Sequence, residues 1–198
     1  MKVSKAQSEE NRQGILDAAS RLYRMHGLSG VGVADITRDA GLTHGGLYRH
    51  FENKDALVRE ACARAFDWSP PPLDGTDAHM GSSAQGLATR VTSYLSTQHR
   101  DQPGEGCPVA ALAVDAARSG GELSEVFAQG IERNIARFAR VIEGMEQGEP
   151  SAESRERAMQ MLASMVGGMV LARATAAARP ALSDEILATV RDHLIAST

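Results

Sequence analysis

The stretch VADITRDAGLTHGGLYRHF, residues 33–51, decides the fold of the N-terminal part of this chain. Residues 33–40 predict a short helix, and Gly41 then suits the left-handed conformation that ends many helices. Thr43 is a good N-cap for a second helix over residues 44–50. Two short helices joined by a tight turn that contains glycine predict a helix-turn-helix.

Two adjacent glycines, Gly45 and Gly46, stand in the first turn of the second helix. A glycine inside a helix costs about 1 kcal/mol relative to alanine, so two in a row need a reason other than helix formation. The apolar residues expected to form a small core shared by the two helices are Ile36, Ala40, Leu42, Leu47 and Phe51. The outer face of the second helix could then enter a DNA major groove, which is about 12 Å wide.

The rest of the chain has the composition and periodicity of helices. Of 198 residues, 42% are hydrophobic and only 4% aromatic, and no segment alternates between apolar and polar residues over a useful length. We expect an all-α protein with about nine helices. Besides the two above, the predicted helices span residues 8–26, 53–65, 84–100, 109–118, 122–146, 152–178 and 182–195.

A segment rich in proline and glycine, DWSPPPLDGTDAHMGSS at residues 67–83, interrupts the helical pattern. Proline cannot continue a helix, and it moves the preceding residue out of the helical conformation. The segment predicts a linker or long connection between an N-terminal module, residues 1–66, and a larger C-terminal one, residues 84–198.

The charge is unevenly distributed along the chain. The net charge is −4, but residues 1–66 carry +2 while residues 67–198 carry −6. A mildly basic head on an acidic body is compatible with DNA contact through the head alone. The N-terminus is polar and has no apolar segment typical of a secretion signal, so we expect a cytoplasmic protein.

Recognisable catalytic chemistry is missing from the sequence. The two cysteines, Cys62 and Cys107, fit no zinc-site spacing with the scattered histidines. No nucleophile elbow, phosphate loop or paired-carboxylate motif occurs. We therefore expect no enzyme, no metal site and no cofactor.

Residues 33–57, VADITRDAGLTHGGLYRHFENKDAL, resemble the DNA-binding module of the TetR family of bacterial repressors. The shared pattern is a helix that ends in Ala-Gly, then an apolar residue, a Ser or Thr cap, two or three small or basic residues and Leu-Tyr-x-His/Tyr-Phe. A lysine then opens the next helix. Here the pattern begins at Ala40-Gly41 and ends at Lys54. The resemblance implies an N-terminal helix-turn-helix domain of three to four helices and a C-terminal helical domain for ligand binding and dimerisation.

The resemblance also implies which residues contact DNA. The two glycines would let the backbone approach the DNA closely, and hydroxyl, imidazole and amine groups around them would donate to phosphates. His44 and Arg49 have the reach for base edges. The candidate contacts are Thr37, Arg38, Thr43, His44, Gly45, Gly46, Tyr48, Arg49, His50 and Lys54. The alternatives are a plain Gly-Gly loop and, for Tyr48, a half-buried side chain that bonds within the protein.

A dimer interface is expected on the last two helices. The segment MLASMVGGMVLARATAAA is rich in small residues that let a partner helix approach, and two helices from each subunit would form a four-helix bundle. The candidate interface residues are Met161, Gly167, Gly168, Leu171 and Leu187. The alternative is that this stripe packs inside one chain.

A ligand site is expected among the helices of the C-terminal body. Methionine adapts its shape, and Met161, Met165 and Met169 recur at helical spacing, although such a stripe can equally be plain core. The candidate lining residues are Tyr94, Leu95, His99, Cys107, Val109, Leu112, Phe127, Ile131, Met165 and Met169. Cys107 precedes a predicted helix, so it is either a sensor of electrophiles or oxidants or a small buried residue.

Together these observations predict a homodimeric, ligand-responsive repressor. A small apolar or electrophilic effector would release it from a palindromic operator in double-stranded DNA. Two other classes stay open at this point: an all-helical small-molecule binding protein or enzyme that has lost DNA binding, and a helical adaptor that binds another protein.

Overall fold

A computed structural model describes residues 4–68, 84–145 and 147–197, with the side chains of residues 44, 84 and 85 left out. The described residues form ten α-helices and a short 3₁₀ turn at Pro103–Glu105, and contain no strand. The helices are α1 Lys5–His26, α2 Val33–Asp39, α3 His44–Leu47, α4 Lys54–Ala65, α5 Ala84–Tyr94, α6 Thr97–Asp101, α7 Pro108–Ser119, α8 Gly121–Glu143, α9 Ala152–Ala176 and α10 Pro180–Ala196. The prediction of an all-α protein is confirmed.

The helix count differs from the expected nine at a single place. The predicted helix over residues 84–100 ends at Tyr94, and a separate helix, α6, follows it. Ser96 is the cause, because its hydroxyl accepts a hydrogen bond from the His99 backbone N–H at 3.2 Å and so caps a new helix. The apolar spacing of Leu87, Val91 and Leu95 runs up to this break, and periodicity alone could not detect the cap.

Several helix ends follow from local sequence. Gly27 and Gly41 adopt left-handed conformations, with φ of 75° and 67°, after α1 and α2. The Asn53 side chain accepts a hydrogen bond from the Ala56 N–H at 2.8 Å and caps α4. Pro108 occupies the first turn of α7, where its missing N–H costs nothing.

The described chain divides into two compact units that do not follow chain order. The first unit contains the residues up to Trp68 together with Pro103–Ala128, and the second contains the remainder. Segment 103–128 belongs to the first unit because it packs on the N-terminal helices. The Arg24 guanidinium donates to the Gly106 carbonyl at 2.8 Å, and the rings of Phe66 and Phe127 meet edge to face at 5.1 Å.

The core of the first unit lies beneath α1, α2, α3 and α4. Ile15, Tyr23, Ile36, Leu47 and Leu57 are all fully buried there. Because residues from four helices and their connections share this core, burying it fixes where α3 stands on the unit.

The core of the second unit is centred on the antiparallel pair α9 and α10. A β-carbon built at Gly168 would lie 3.2 Å from the Val190 side chain, so this glycine lets the two helices approach closely. A further apolar cluster joins α8 to α9 and consists of Ile135, Ala139, Ala158 and Leu162. Within the described ranges, no helix is long and apolar enough to span a membrane.

The predicted linker, residues 67–83, lies outside the described residues except for Asp67 and Trp68. The division into a domain at residues 1–66 and another at 84–198 therefore stays a prediction. The two compact units are defined by which residues pack together, and the predicted domains by the role expected of each segment.

Candidate nucleic-acid interface

The helix-turn-helix core holds α3 against α2. Ile36, Leu47 and Phe51 are buried, as predicted, while Ala40 and Leu42 are half-buried at the rim. The Leu42 N–H donates to the Thr37 carbonyl at 2.8 Å, which closes the turn after α2. The second helix is shorter than the predicted 44–50, because the chain leaves regular helix after Leu47 and continues as tight turns.

The two glycines of α3 have room around them. No described atom lies within 4 Å of a β-carbon built at Gly45, and the nearest atom to one at Gly46 is the Thr43 hydroxyl oxygen at 3.6 Å. Neither residue adopts the left-handed backbone that favours glycine. The described fold would therefore accept alanine at both positions, and the open space lies on the outer surface of α3.

Exposed polar groups surround this open surface. Thr43 and Arg49 are exposed, the Tyr48 side chain is 51% exposed, and His50 is half-buried. His44 begins α3, but its side chain is outside the described part. Thr43 occupies the predicted N-cap position, although its side chain forms no capping hydrogen bond, and its carbonyl accepts from the Gly46 N–H at 2.8 Å.

Lys54 and Arg38, two of the predicted DNA contacts, flank this surface and differ in their ion pairing. The Lys54 amine donates to the Val31 carbonyl at 3.2 Å while its side chain stays exposed at the start of α4. Arg38 is exposed but forms an ion pair with Asp35, whose other oxygen accepts from the Gly32 N–H at 3.0 Å. The Asp35 carboxylate thus offsets the charge of Arg38, whereas no carboxylate among the described residues forms an ion pair with Lys54.

Thr37 is a correction to the predicted contacts. Its side chain is buried, and its hydroxyl donates to the Val33 and Ala34 carbonyls at 3.1 and 3.2 Å. A threonine that bonds back to its own helix in this way has no hydroxyl proton left for a phosphate. We therefore remove Thr37 from the candidate set.

Arg12 is a residue that sequence reasoning missed. Its guanidinium lies 4.9 Å from the centroid of the Phe51 ring and pairs with the Glu60 carboxylate of α4. It thus holds the aromatic residue that follows α3 against α1 and α4. Arg12 is far in sequence from both Phe51 and Glu60, so no local signal could have identified the contact.

The predicted dimer residues separate into two groups. Met161, Gly168 and Leu187 are buried within the second unit, so their assignment to an interface is wrong for the described chain. Apolar packing between α9 and α10 already uses them. Gly167 has no described atom within 4 Å of a β-carbon built on it, and Leu171 is 57% exposed, so both remain available to a partner.

The predicted ligand residues are distributed over both compact units. The second unit contains Tyr94, Leu95, His99, Ile131, Met165 and Met169, and the first contains Cys107, Val109, Leu112 and Phe127. All are buried except Ile131, which is half-buried. The His99 ring shares a hydrogen bond with the Tyr94 carbonyl at 2.7 Å and meets the Tyr94 ring edge to face. These residues act as core in the structure, and a ligand role for them stays a proposal.

The two cysteines are both buried thiols of the first unit. Cys107 occupies the N-cap position of α7, as its place before the helix predicts. Burial raises the pKa of the Cys62 thiol to about 12, so this group is protonated and unreactive at neutral pH.

Comparison with known proteins identifies the helix-turn-helix. Residues 15–61 match the family profile described as bacterial regulatory proteins, tetR family. The N-terminal module of the chain is therefore similar to the DNA-binding domain of the TetR family. The match covers the second half of α1, all of α2 and α3 and most of α4, and so includes the open glycine surface.

Individual relatives extend this result. The transcriptional regulator AcrR of Shigella flexneri is 40% identical over 57 residues, which are 29% of this chain and 26% of that protein. The transcriptional repressor BepR of Brucella suis is 28% identical over 189 residues, covering 86% of this chain and 83% of that protein. The chain spans 26–27% of the length of the first curated relatives that it matches.

Solved structures of TetR-family regulators show the same fold. A regulator from Cytophaga hutchinsonii superposes with a TM-score of 0.70 at 22% identity, covering 100% of this chain and 98% of that one. The N-terminal helix-turn-helix followed by a helical C-terminal part is therefore the architecture of this chain.

Proposed function

We propose that this chain is a TetR-family transcriptional regulator that binds operator DNA through the outer surface of α3. The observation that carries the proposal is the open space at Gly45, which no described atom fills. The backbone conformation at this position does not require a glycine. Thr43, Tyr48 and Arg49 are exposed around it and can donate hydrogen bonds to phosphates or base edges. With Gly46, Arg38, His44, His50 and Lys54, these residues form the proposed DNA contact.

The regulator acts in this proposal as a cytoplasmic repressor without enzymatic activity. The Brucella relative is named a repressor, and the whole-length similarity supports the same role here. A small effector bound in the second unit would favour a conformation of the dimer in which the two DNA-binding modules cannot reach both half-sites of the operator. A hundredfold preference for that state corresponds to about 2.7 kcal/mol of coupling free energy.

Two copies of the chain are required, because a palindromic operator presents half-sites about 34–36 Å apart. An exposed apolar stripe along α9 supports a homodimer: Met159, Ala163, Gly167, Val170 and Ala174 recur at helical spacing on one face. Leu171 and, on α10, Leu182 are also exposed apolar residues of this unit. This stripe replaces Met161, Gly168 and Leu187 as the proposed interface.

The decisive experiment is a Gly45→Ala substitution measured for DNA affinity. Duplexes selected from a random library by the immobilised wild-type protein provide the DNA, and fluorescence anisotropy at two salt concentrations gives the affinity. We expect a loss of about tenfold, similar to losing a single good contact, because the new methyl group occupies space reserved for DNA. Affinity of the wild type should also fall steeply with salt.

Gly14 supplies a matched control for that experiment. It lies exposed in α1, and no described atom is within 4 Å of a β-carbon built on it. Gly14→Ala should therefore bring the same gain in helix propensity without loss of DNA affinity. If no duplex is enriched, or if both variants bind like the wild type, α3 is not the DNA-contacting surface. An all-helical small-molecule binding protein would then be the better description.

A further inference from the structure

Asp35 is an acidic residue among the cations that are proposed to bind DNA. One oxygen of its carboxylate pairs with the Arg38 guanidinium, and the other accepts a hydrogen bond from the Gly32 N–H at 3.0 Å. The side chains of Asp35 and Arg38 are 48% and 75% exposed, so the ion pair faces solvent. A negative charge on a surface proposed to face phosphates needs a physical explanation.

The carboxylate of Asp35 is also close to Lys54. The peptide group between Val31 and Gly32 connects them, because its carbonyl accepts from the Lys54 amine at 3.2 Å while its N–H donates to Asp35. The dimensions of a peptide group then place the Lys54 nitrogen and that Asp35 oxygen at most about 8.5 Å apart. Solvent ions screen charges only partly at this distance, so one carboxylate lowers the positive potential at both cations.

A contact that does not involve Arg38 holds the carboxylate in place. Asp35 and Gly32 form a reciprocal pair at the start of α2, because the Asp35 N–H also donates to the Gly32 carbonyl at 3.1 Å. The carboxylate therefore keeps a partner when the Arg38 guanidinium moves away. The ion pair itself is weak, since exposed pairs three residues apart on a helix stabilise a protein little. A stronger acceptor can thus take Arg38 from Asp35.

A DNA phosphate is such an acceptor. Carboxylates and phosphates both bind a guanidinium through the same planar fork of N–H donors. We propose that Asp35 takes the place of a DNA phosphate on Arg38 in the free protein and thereby lowers the affinity of this surface for DNA. The inference rests on the proposed function, because it concerns the same surface, and it identifies the residue that limits the strength of the contact.

This exchange of partners affects the salt dependence of DNA binding. When a phosphate replaces the carboxylate on Arg38, the DNA releases a cation, while the freed Asp35 attracts one from solution. The Arg38 contact therefore adds little to the salt slope of the wild type, although an unpaired arginine would add about 1. Removal of the Asp35 charge should make binding both tighter and more dependent on salt.

Asp35→Asn tests the proposal. The asparagine oxygen can still accept from the Gly32 N–H, but the side chain has no charge to hold Arg38. We expect the affinity for all duplexes to rise about threefold to fivefold and the salt slope to steepen by about 1. Fluorescence anisotropy at several salt concentrations, with selected and unselected duplexes, measures both quantities.

Thermal unfolding of the same variant distinguishes this role from a merely structural one. Asp35→Asn removes a negative charge from the first turn of α2, where it stabilises the helix, so the Tm should fall by about 2 °C. A variant that is less stable but binds DNA more tightly is the expected result. Damage to α2 would instead lower both the Tm and the affinity, and that outcome would overturn the proposal.

Asp39→Asn is the matched control. It makes the same change of charge on the same helix, but Asp39 pairs with Arg21, which is not among the proposed DNA contacts. It should leave the salt slope unchanged and alter the affinity by less than about twofold. In an Arg38→Gln background, Asp35→Asn should also have less than about a twofold effect, because the arginine that it releases is missing. An equal gain with and without Arg38, or no gain in the wild type, would overturn the proposal.

The wild-type titration separates this inference from the proposed function. If the wild type binds the selected duplexes and Asp35→Asn binds them no more tightly, the regulator remains and the role of Asp35 is wrong. If only Asp35→Asn binds DNA measurably, both proposals are supported. If neither protein binds any duplex at low salt, both are wrong.

Discussion

Two pairs of adjacent glycines lie in helices of this chain, and their surroundings differ. In α9, Gly168 faces α10, where an added β-carbon would lie 3.2 Å from Val190, while Gly167 beside it faces open space. In α3, a β-carbon built at Gly45 or Gly46 would meet no described atom closer than 3.6 Å. A helix glycine can therefore serve the packing of its own chain or leave room for another molecule, and only the space around it distinguishes the two.

This comparison assigns a different purpose to each position. Gly168 makes α9 and α10 fit together, whereas Gly167 and Gly45 leave room at surfaces that we assign to a second chain and to DNA. Each assignment predicts a different measurable loss when a side chain is added.

The largest effect is expected from Gly168→Val. The new side chain must displace Val190 in the packed contact between α9 and α10, and overpacking of this kind costs about 1–3 kcal/mol of unfolding free energy. Urea denaturation measures it at a protein concentration low enough for all variants to be monomeric, so that dimer dissociation does not contribute. Gly167→Val is the matched control, and an equal loss in both variants would contradict the distinction between the two glycines.

The next effect is a loss of self-association in Gly167→Val. A β-branched side chain in the middle of the exposed stripe would separate the partner helices, and we expect dimer affinity to fall at least about tenfold, or 1.4 kcal/mol. Sedimentation equilibrium over a range of concentrations measures the dimer constant. A dimer as tight as that of the wild type would place the interface elsewhere on the second unit.

A smaller effect is expected from Lys54→Gln on the DNA surface. Removal of a phosphate contact should weaken binding to all duplexes by a similar factor and reduce the salt slope by about 1. Anisotropy titrations at several salt concentrations give that slope. An unchanged slope would mean that the amine serves only its hydrogen bond to the Val31 carbonyl.

The smallest effect is a gain of stability in Gly45→Ala and Gly46→Ala. Since alanine fits both sites, each variant should unfold with a free energy about 0.4–1 kcal/mol higher than the wild type. Combined with weaker DNA binding, this gain would show that the two glycines lower the stability of the fold and strengthen DNA binding. A loss of stability would instead show that the described fold needs the glycines.

The sequence predicted the helix-turn-helix well because its signals are local. Gly41 does adopt the left-handed turn, Thr43 does stand at the N-cap position, and Ile36, Leu47 and Phe51 do form the shared core. Each follows from residues a few positions apart, whose spacing sets backbone conformation and helix face.

The predictions that depended on distant neighbours were less accurate. Thr37 is on a buried face that the short helix α2 could not reveal, and Met161 and Leu187 pack inside the chain rather than against a partner. Small and apolar residues suit both kinds of contact equally, so their sequence pattern cannot decide between them.

By itself, the sequence determined most of the helices, the turn between α2 and α3 and the resemblance of the N-terminal module to the TetR family, because helix propensity, caps and spacing are properties of short segments. The tertiary structure alone decided that residues 103–128 join the N-terminal unit and that Gly168, not Gly167, meets α10. These depend on which distant surfaces meet, and burial exists only once they have met.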